Sequence, residues 1–167
     1  MKDNLIDHLY TQGLRAAQDS DLTKACYYLS LVLKVDETHQ FSRKLLGLCL
    51  FRKGNYEASL QVISELKEDY LLLRDALTYK KAEFEKINRV VTLQKYKQAL
   101  KVLGQIKEKS ALEYNYEGCL YMILNKKNKA RVSFEQALII DRSNEEAWNY
   151  LNHLPISKKK WWFYEFL

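Results

Sequence analysis

Gly13 and Gly47 lie 34 residues apart, and Gly118 follows Gly47 by 71, two such periods plus three. After each glycine the chain repeats one pattern: an apolar residue three positions on, a polar or glycine-containing turn at about seven, then a second apolar segment. In the first unit the turn is Asp19–Asp21, followed by Ala25, Leu29 and Val32 and closed by Val35-Asp36. In the second, Gly54-Asn55 precedes Leu60, Ile63 and Leu66. The last unit turns at Asn125–Asn128 and runs through Ala130, Phe134 and Ala137 to Ile140-Asp141. Apolar positions three and four apart mark one face of a helix. A repeat of this length is one helical hairpin, which buries its apolar flank only by stacking on its neighbours in a curving row. A glycine inside a helix costs about 1 kcal/mol against alanine, so three at equivalent places predict close helix crossings.

The third unit is irregular. Its second helix is clear in Tyr96-Lys-Gln-Ala99-Leu-Lys-Val-Leu103. Its first, between Leu71 and Val91, lacks the small residue and carries about six extra residues before the turn. Beyond Asn144, Glu145-Glu-Ala-Trp148-Asn-Tyr-Leu151 opens another helix with acidic residues in its first turn, as the helix dipole favours, and Pro155 ends or bends it. No linker divides the chain. The expectation is one all-α domain over residues 1–167, with units about 6–39, 40–70, 71–110 and 111–144 and a C-terminal helix over 145–167. Five Gly and a single Pro argue against the many turns of an all-β fold.

The segments Leu45 to Leu60 and Tyr114 to Asp141 resemble the tetratricopeptide-repeat (TPR) signature. That family pattern asks for a small residue at position eight, a large one at eleven, then Ala, an aromatic and Ala at twenty, twenty-four and twenty-seven. Gly118, Tyr121, Ala130, Phe134 and Ala137 meet all five, and Gly13, Ala16, Ala25, Leu29 and Val32 follow more loosely. The proline the family places at thirty-two is absent, with Glu37 and Arg142 in its stead. The resemblance implies a TPR-type right-handed α-α superhelix of about four helix-turn-helix repeats plus a C-terminal helix, with an inner groove lined by the first helix of each pair.

Carried onto this chain, the family's groove positions are Tyr10, Leu14 and Ala17 in the first unit. They are Phe41, Lys44, Leu48, Phe51 and Arg52 in the second, and Leu112, Asn115, Cys119, Met122 and Ile123 in the fourth. Tyr10 with Leu14, and Lys44 with Leu48, do not supply the Lys/Asn carboxylate clamp of the chaperone-binding members. The protein-binding groove is therefore expected at Tyr10, Leu14, Phe41, Leu48, Phe51, Arg52 and Met122, more apolar than polar and suited to an amphipathic helix. Individual side chains of this set can equally belong to the core between repeats.

The order of units also resembles the N-terminal region of the TPR subunits of the anaphase-promoting complex, or cyclosome. That resemblance implies a homodimer in which the N-terminal helices of one copy enter the groove of the other. It also implies further subunits of a nuclear or cytoplasmic cell-division ubiquitin-ligase scaffold. The segment Lys158–Lys160 and the aromatic run with Trp161, Trp162 and Phe163 form a candidate tail interface, against this domain, a partner or a membrane surface.

Catalysis has no visible seat. His8, His39 and His153 are dispersed, Cys26, Cys49 and Cys119 form no CxxC pair, and no phosphate loop or nucleophile elbow is present. No enzyme, metal or cofactor is expected. The start carries no signal-peptide pattern and no apolar run approaches the roughly 20 residues of a membrane span, so an intracellular location is expected. The net charge of +6 leaves nucleic-acid binding by a basic helical array as the alternative, ranked behind protein binding because the Lys and Arg residues are spread along the chain.

Overall fold

Three of the glycines face a side chain that leaves no room for a methyl group, and in each case that residue lies 16 positions further on. In the computed structural model, which describes residues 2–66 and 71–154, a Cβ on Gly13 would meet Leu29 Cγ at 2.9 Å. One on Gly47 would meet Ile63 Cγ1 at 2.5 Å, and one on Gly118 would meet Phe134 Cε1 and Cζ at 2.6 Å. A fixed offset at every crossing means that three helix pairs share one geometry.

Among the described residues the chain forms nine α-helices and no strand, so the all-α expectation holds. They are α1 (Lys2–Gln18), α2 (Leu22–Val35), α3 (Gln40–Lys53), α4 (Tyr56–Ser64), α5 (Leu71–Thr92), α6 (Tyr96–Gln105), α7 (Ala111–Ile123), α8 (Lys127–Ile140) and α9 (Glu145–His153). Each packs on the next in chain order.

The third pair keeps the same frame without a glycine. Counting 16 back from the buried Leu103 reaches Ile87, also fully buried, in the cluster formed with Ala99 and Leu120. Seven residues after each crossing residue stands the backbone's left-handed residue: Ser20 (φ 58°), Gly54 (φ 95°), Gln94 (φ 57°) and Asn125 (φ 55°). The residue after each donates back to the carbonyl five before it: Asp21 to Ala16, Asn55 to Leu50, Lys95 to Val90 and Lys126 to Tyr121. This bond satisfies a carbonyl that the helix end would otherwise orphan. Twelve residues after each crossing come Ala25, Ser59, Ala99 and Ala130, all fully buried where the second helix lies against the first.

One local expectation is sharpened and one shifts. The extra length of the third unit lies before its turn, at the start of α5, which has 22 residues against 14 in α3 and 13 in α7. The last turn is tighter than Asn125–Asn128, because the Lys126 amide closes onto Tyr121 and lets α8 begin at Lys127.

Only one of the four left-handed positions carries glycine, although an L-residue there costs about 1–2 kcal/mol. Gln94 is exposed, so its side chain adds no core packing. We expect Gln94→Gly to stabilise the fold by about 1 kcal/mol and to raise the melting temperature by about 2–4 °C, as thermal denaturation followed by circular dichroism will read.

The helix starts are fixed by side chains at five places. Asp21, His39, Asn55, Ser110 and Asn144 each accept an amide from the first turn of α2, α3, α4, α7 and α9. Ser110 does so within a full capping box with Glu113.

One connection departs from a row in which each pair touches only its neighbours. The Arg142 amide donates to the Ser20 carbonyl at 2.8 Å, and Ile140 packs on the α1–α2–α3 core of Ala16, Leu22, Ala25, Leu29, Leu46 and Cys49. The start of α7 likewise meets the α3–α4 turn, where a Cβ on Gly54 would lie 2.3 Å from Leu112 Cβ. The fourth pair therefore docks back on the first two.

Candidate protein-docking face

The residues expected in the groove divide between surface and core. On α3, Phe41 is 72% exposed and Leu48, seven residues on and thus on the same face, is 44% exposed. On α1, which touches α3 directly, Leu14 is 36% exposed. Tyr10 is half-buried against the first core cluster, with its ring 5.4 Å from that of His39. His39 in turn lies 6.3 Å edge-on from Phe41, so the cap residue of α3 joins the two helices through a chain of rings.

The other three sit differently. Phe51 is half-buried in the cluster of Tyr56, Ile63 and Leu77, its ring 5.8 Å from Tyr56. From there rings continue to Phe84 at 6.0 Å and Tyr116 at 4.9 Å, tying α3, α4, α5 and α7 together. Met122 is half-buried in the cluster of Ala130, Phe134, Ala137 and Ala147. Arg52 is half-buried near Cys49. The structure thus brings Tyr10, Leu14, Phe41 and Leu48 onto neighbouring helices and draws Phe51 and Met122 into packing. Trp161, Trp162 and Phe163, like Pro155 and Lys158–Lys160, lie outside the described residues.

The polar chemistry lies where the first, second and fourth pairs meet, and sequence reasoning missed it. Asp141, 2% exposed, ends α8 and accepts through Oδ1 from the Leu22 amide (3.3 Å), the Ser143 amide (3.2 Å) and Ser143 Oγ (2.5 Å). Its Oδ2 lies 3.2 Å from Lys53 Nζ, which also donates to Thr23 Oγ1 at 2.6 Å. The Thr23 amide reaches Ser143 Oγ at 3.1 Å. A carboxylate at the end of α8 would be disfavoured by that helix's own dipole, but it faces the first turn of α2, where negative charge is favoured. These groups border an open cleft of about 400 Å³, completed by Leu112, Asn115, Asn144, Glu145 and Glu146. Leu112 and Asn115 are groove positions of the sequence reading; none of the seven residues proposed for binding lines this cleft.

A local pattern marks the helix end at Asp141 but not its distant partners. Asp36 and Asp141 both close a second helix, and both are followed two residues on by a hydroxyl residue that they bind, Thr38 and Ser143. Asp141 also recruits Lys53 and the start of α2.

A second buried network joins α4, α5 and α7. Tyr56 Oη and Ser110 Oγ are 2.8 Å apart, and Glu113, fully buried, accepts the Ser110 amide at 2.8 Å and lies 3.6 Å from Lys80 Nζ. Burial, together with the Glu113 carboxylate, pushes the Tyr56 phenol up. These groups are locked in packing and hold α5 against α7.

Among the described residues no group of three or more His, Cys, Asp and Glu is placed to hold a metal ion, and no helix is long and apolar enough to cross a membrane. No family model matches the chain, and no curated protein matches it.

Proposed function

We propose that the chain is a tetratricopeptide-type superhelical scaffold that binds protein and self-associates through its first two helix pairs. The observation that carries the reading is the uncovered apolar face on adjacent helices, Leu14 of α1 with Phe41 and Leu48 of α3. Large apolar side chains grouped on neighbouring elements mark interfaces, because water is excluded from them when a partner docks. The repeated crossing geometry supports the repeat class, since the small residue, the turn and the facing side chain recur in one register. The setting we propose is a multi-subunit scaffold of the ubiquitin-ligase kind to which the unit order points.

The test is solution mass by light scattering across a concentration series, with Leu14→Glu and Phe41→Glu as variants. Both side chains are exposed, so neither change removes core packing, and the melting temperature stays within about 2 °C. Dimer dissociation is expected to strengthen at least about tenfold in each variant, the loss of one well-packed anchor. A monomer at every concentration, or a dimer indifferent to both charges, overturns the proposal.

A further inference from the structure

Two of the three cysteines face each other across the α2–α3 interface, and the docking face uses neither. Cys26 of α2 and Cys49 of α3 belong to the same core cluster, with Cys49 2% exposed and Cys26 half-buried, so the pair has one member open to solvent. The two thiols lie close enough for each to shift the other's titration. The helices are held together one turn away. Lys53 stands four residues beyond Cys49 and Thr23 three before Cys26, and Lys53 Nζ spans the two at 2.6 Å.

We infer that Cys26 and Cys49 are an oxidation site, closing to a disulfide that pins the first helix pair to the second when the protein meets a hydroperoxide. Cysteines on facing turns of one helix interface are placed to close to the roughly 2.05 Å of a disulfide, and the Lys53–Thr23 tie keeps α2 and α3 from separating as they do.

The chemistry assigns the two thiols different roles. The charged and polar groups facing Cys26 are Cys49, Lys53 and Asp141. The hydrogen bond from Cys49 holds the Cys26 thiol below its ordinary range, aided by the Lys53 ammonium and opposed by burial and the Asp141 carboxylate. The Cys49 thiol is pushed up by donating that same bond and by burial. Cys26, the one of the two that solvent reaches, is therefore the attacking sulfur, and the buried Cys49 is the resolving one. The Cys26 thiolate attacks one peroxide oxygen, the O–O bond breaks, and Cys26 becomes a sulfenic acid as the first water leaves. Cys49 then attacks the Cys26 sulfur, the S–O bond breaks, and the second water departs with the remaining thiol proton. Two thiols lose two electrons, and one hydrogen peroxide becomes two waters.

Cys119 provides the internal control. It is half-buried beside Tyr150, its thiol is held up by burial, and it pairs with neither other cysteine.

The experiment treats the native full chain at neutral pH with a few equivalents of hydrogen peroxide, blocks remaining thiols with iodoacetamide, and maps the unreduced digest by mass spectrometry. The expected product is a peptide pair joined through Cys26 and Cys49 within one chain, with Cys119 alkylated. The joined form should melt about 6–12 °C higher than the reduced form, the shift that closing a loop of this size produces in a chain of this length. In Cys49→Ser, dimedone should trap the sulfenic acid on Cys26; in Cys26→Ser, Cys49 should stay alkylatable. Cys26 and Cys49 both alkylated while Cys119 oxidises would overturn the inference. So would a Cys26–Cys49 link that forms only in urea, or one that joins two chains.

Discussion

Gly118→Leu should lower the melting temperature by about 6–12 °C, equivalent to a loss of about 3 kcal/mol, whereas Gly104→Leu should leave it unchanged or slightly raised. At Gly118 the first added carbon already lies 2.6 Å from two atoms of the Phe134 ring. That ring cannot yield, being fully buried and stacked at 4.7 Å on Tyr150. The added side chain has to drive α7 from α8, and the helix-propensity gain of about 1 kcal/mol over glycine offsets only part of the cost. At Gly104 nothing lies within 4 Å of the corresponding carbon, so only the propensity gain remains, reduced by its place near the end of α6. Thermal melts of the two variants side by side separate a crossing requirement from a general intolerance of leucine. Equal melting temperatures would show that α7 and α8 do not cross at Gly118.

Asp141→Ala is the second large change expected. It removes the acceptor of the Leu22 and Ser143 amides and strands the Lys53 ammonium near the buried end of α3. Breaking one partner of a buried pair costs about 3–5 kcal/mol. The Lys53 side chain is 28% exposed and regains some water, so the lower end, about 3 kcal/mol, is expected. Asp141→Asn keeps a neutral acceptor and should lose about half as much. Amide exchange at Thr23 and Arg142 should accelerate in Asp141→Ala, because their acceptors, Ser143 Oγ and the Ser20 carbonyl, are positioned by the same carboxylate. A loss under about 1 kcal/mol with unaltered exchange would mean that the junction contributes nothing in solution.

The helical fold was legible because its grammar is local. A glycine, a turn seven residues on and a facing residue at 16 fall within one hairpin, and the sequence displays all three in the first, second and fourth units. The third was harder to read because Ile87 occupies the crossing, so the small residue that announces a pair is missing although the geometry persists. Of the residues expected in the groove, Phe41 and Leu48 fall on one exposed face of α3, since a spacing of seven is a helix property. Phe51 and Met122 are half-buried against neighbouring helices. Whether such a side chain stays open or is captured by the next pair depends on how tightly the pairs stack, which spacing alone does not report. The junction at Asp141 was invisible, because its partners Leu22 and Thr23 lie about 120 residues away and no local pattern reports a contact at that range.

That long-range clasp changes how the molecule should come apart. In an open row of hairpins, stability is a sum of neighbour terms and the terminal hairpins fray first. Here the loop after α1 is fastened to the loop after α8, so opening either extremity also breaks bonds at the other. Cooperativity that a linear array acquires only through its chain of interfaces is imposed in one step by a closure. The kinetic counterpart is a higher contact order than a row of the same length would have: fastening waits for two distant loops to meet, and once made it slows release from both sides.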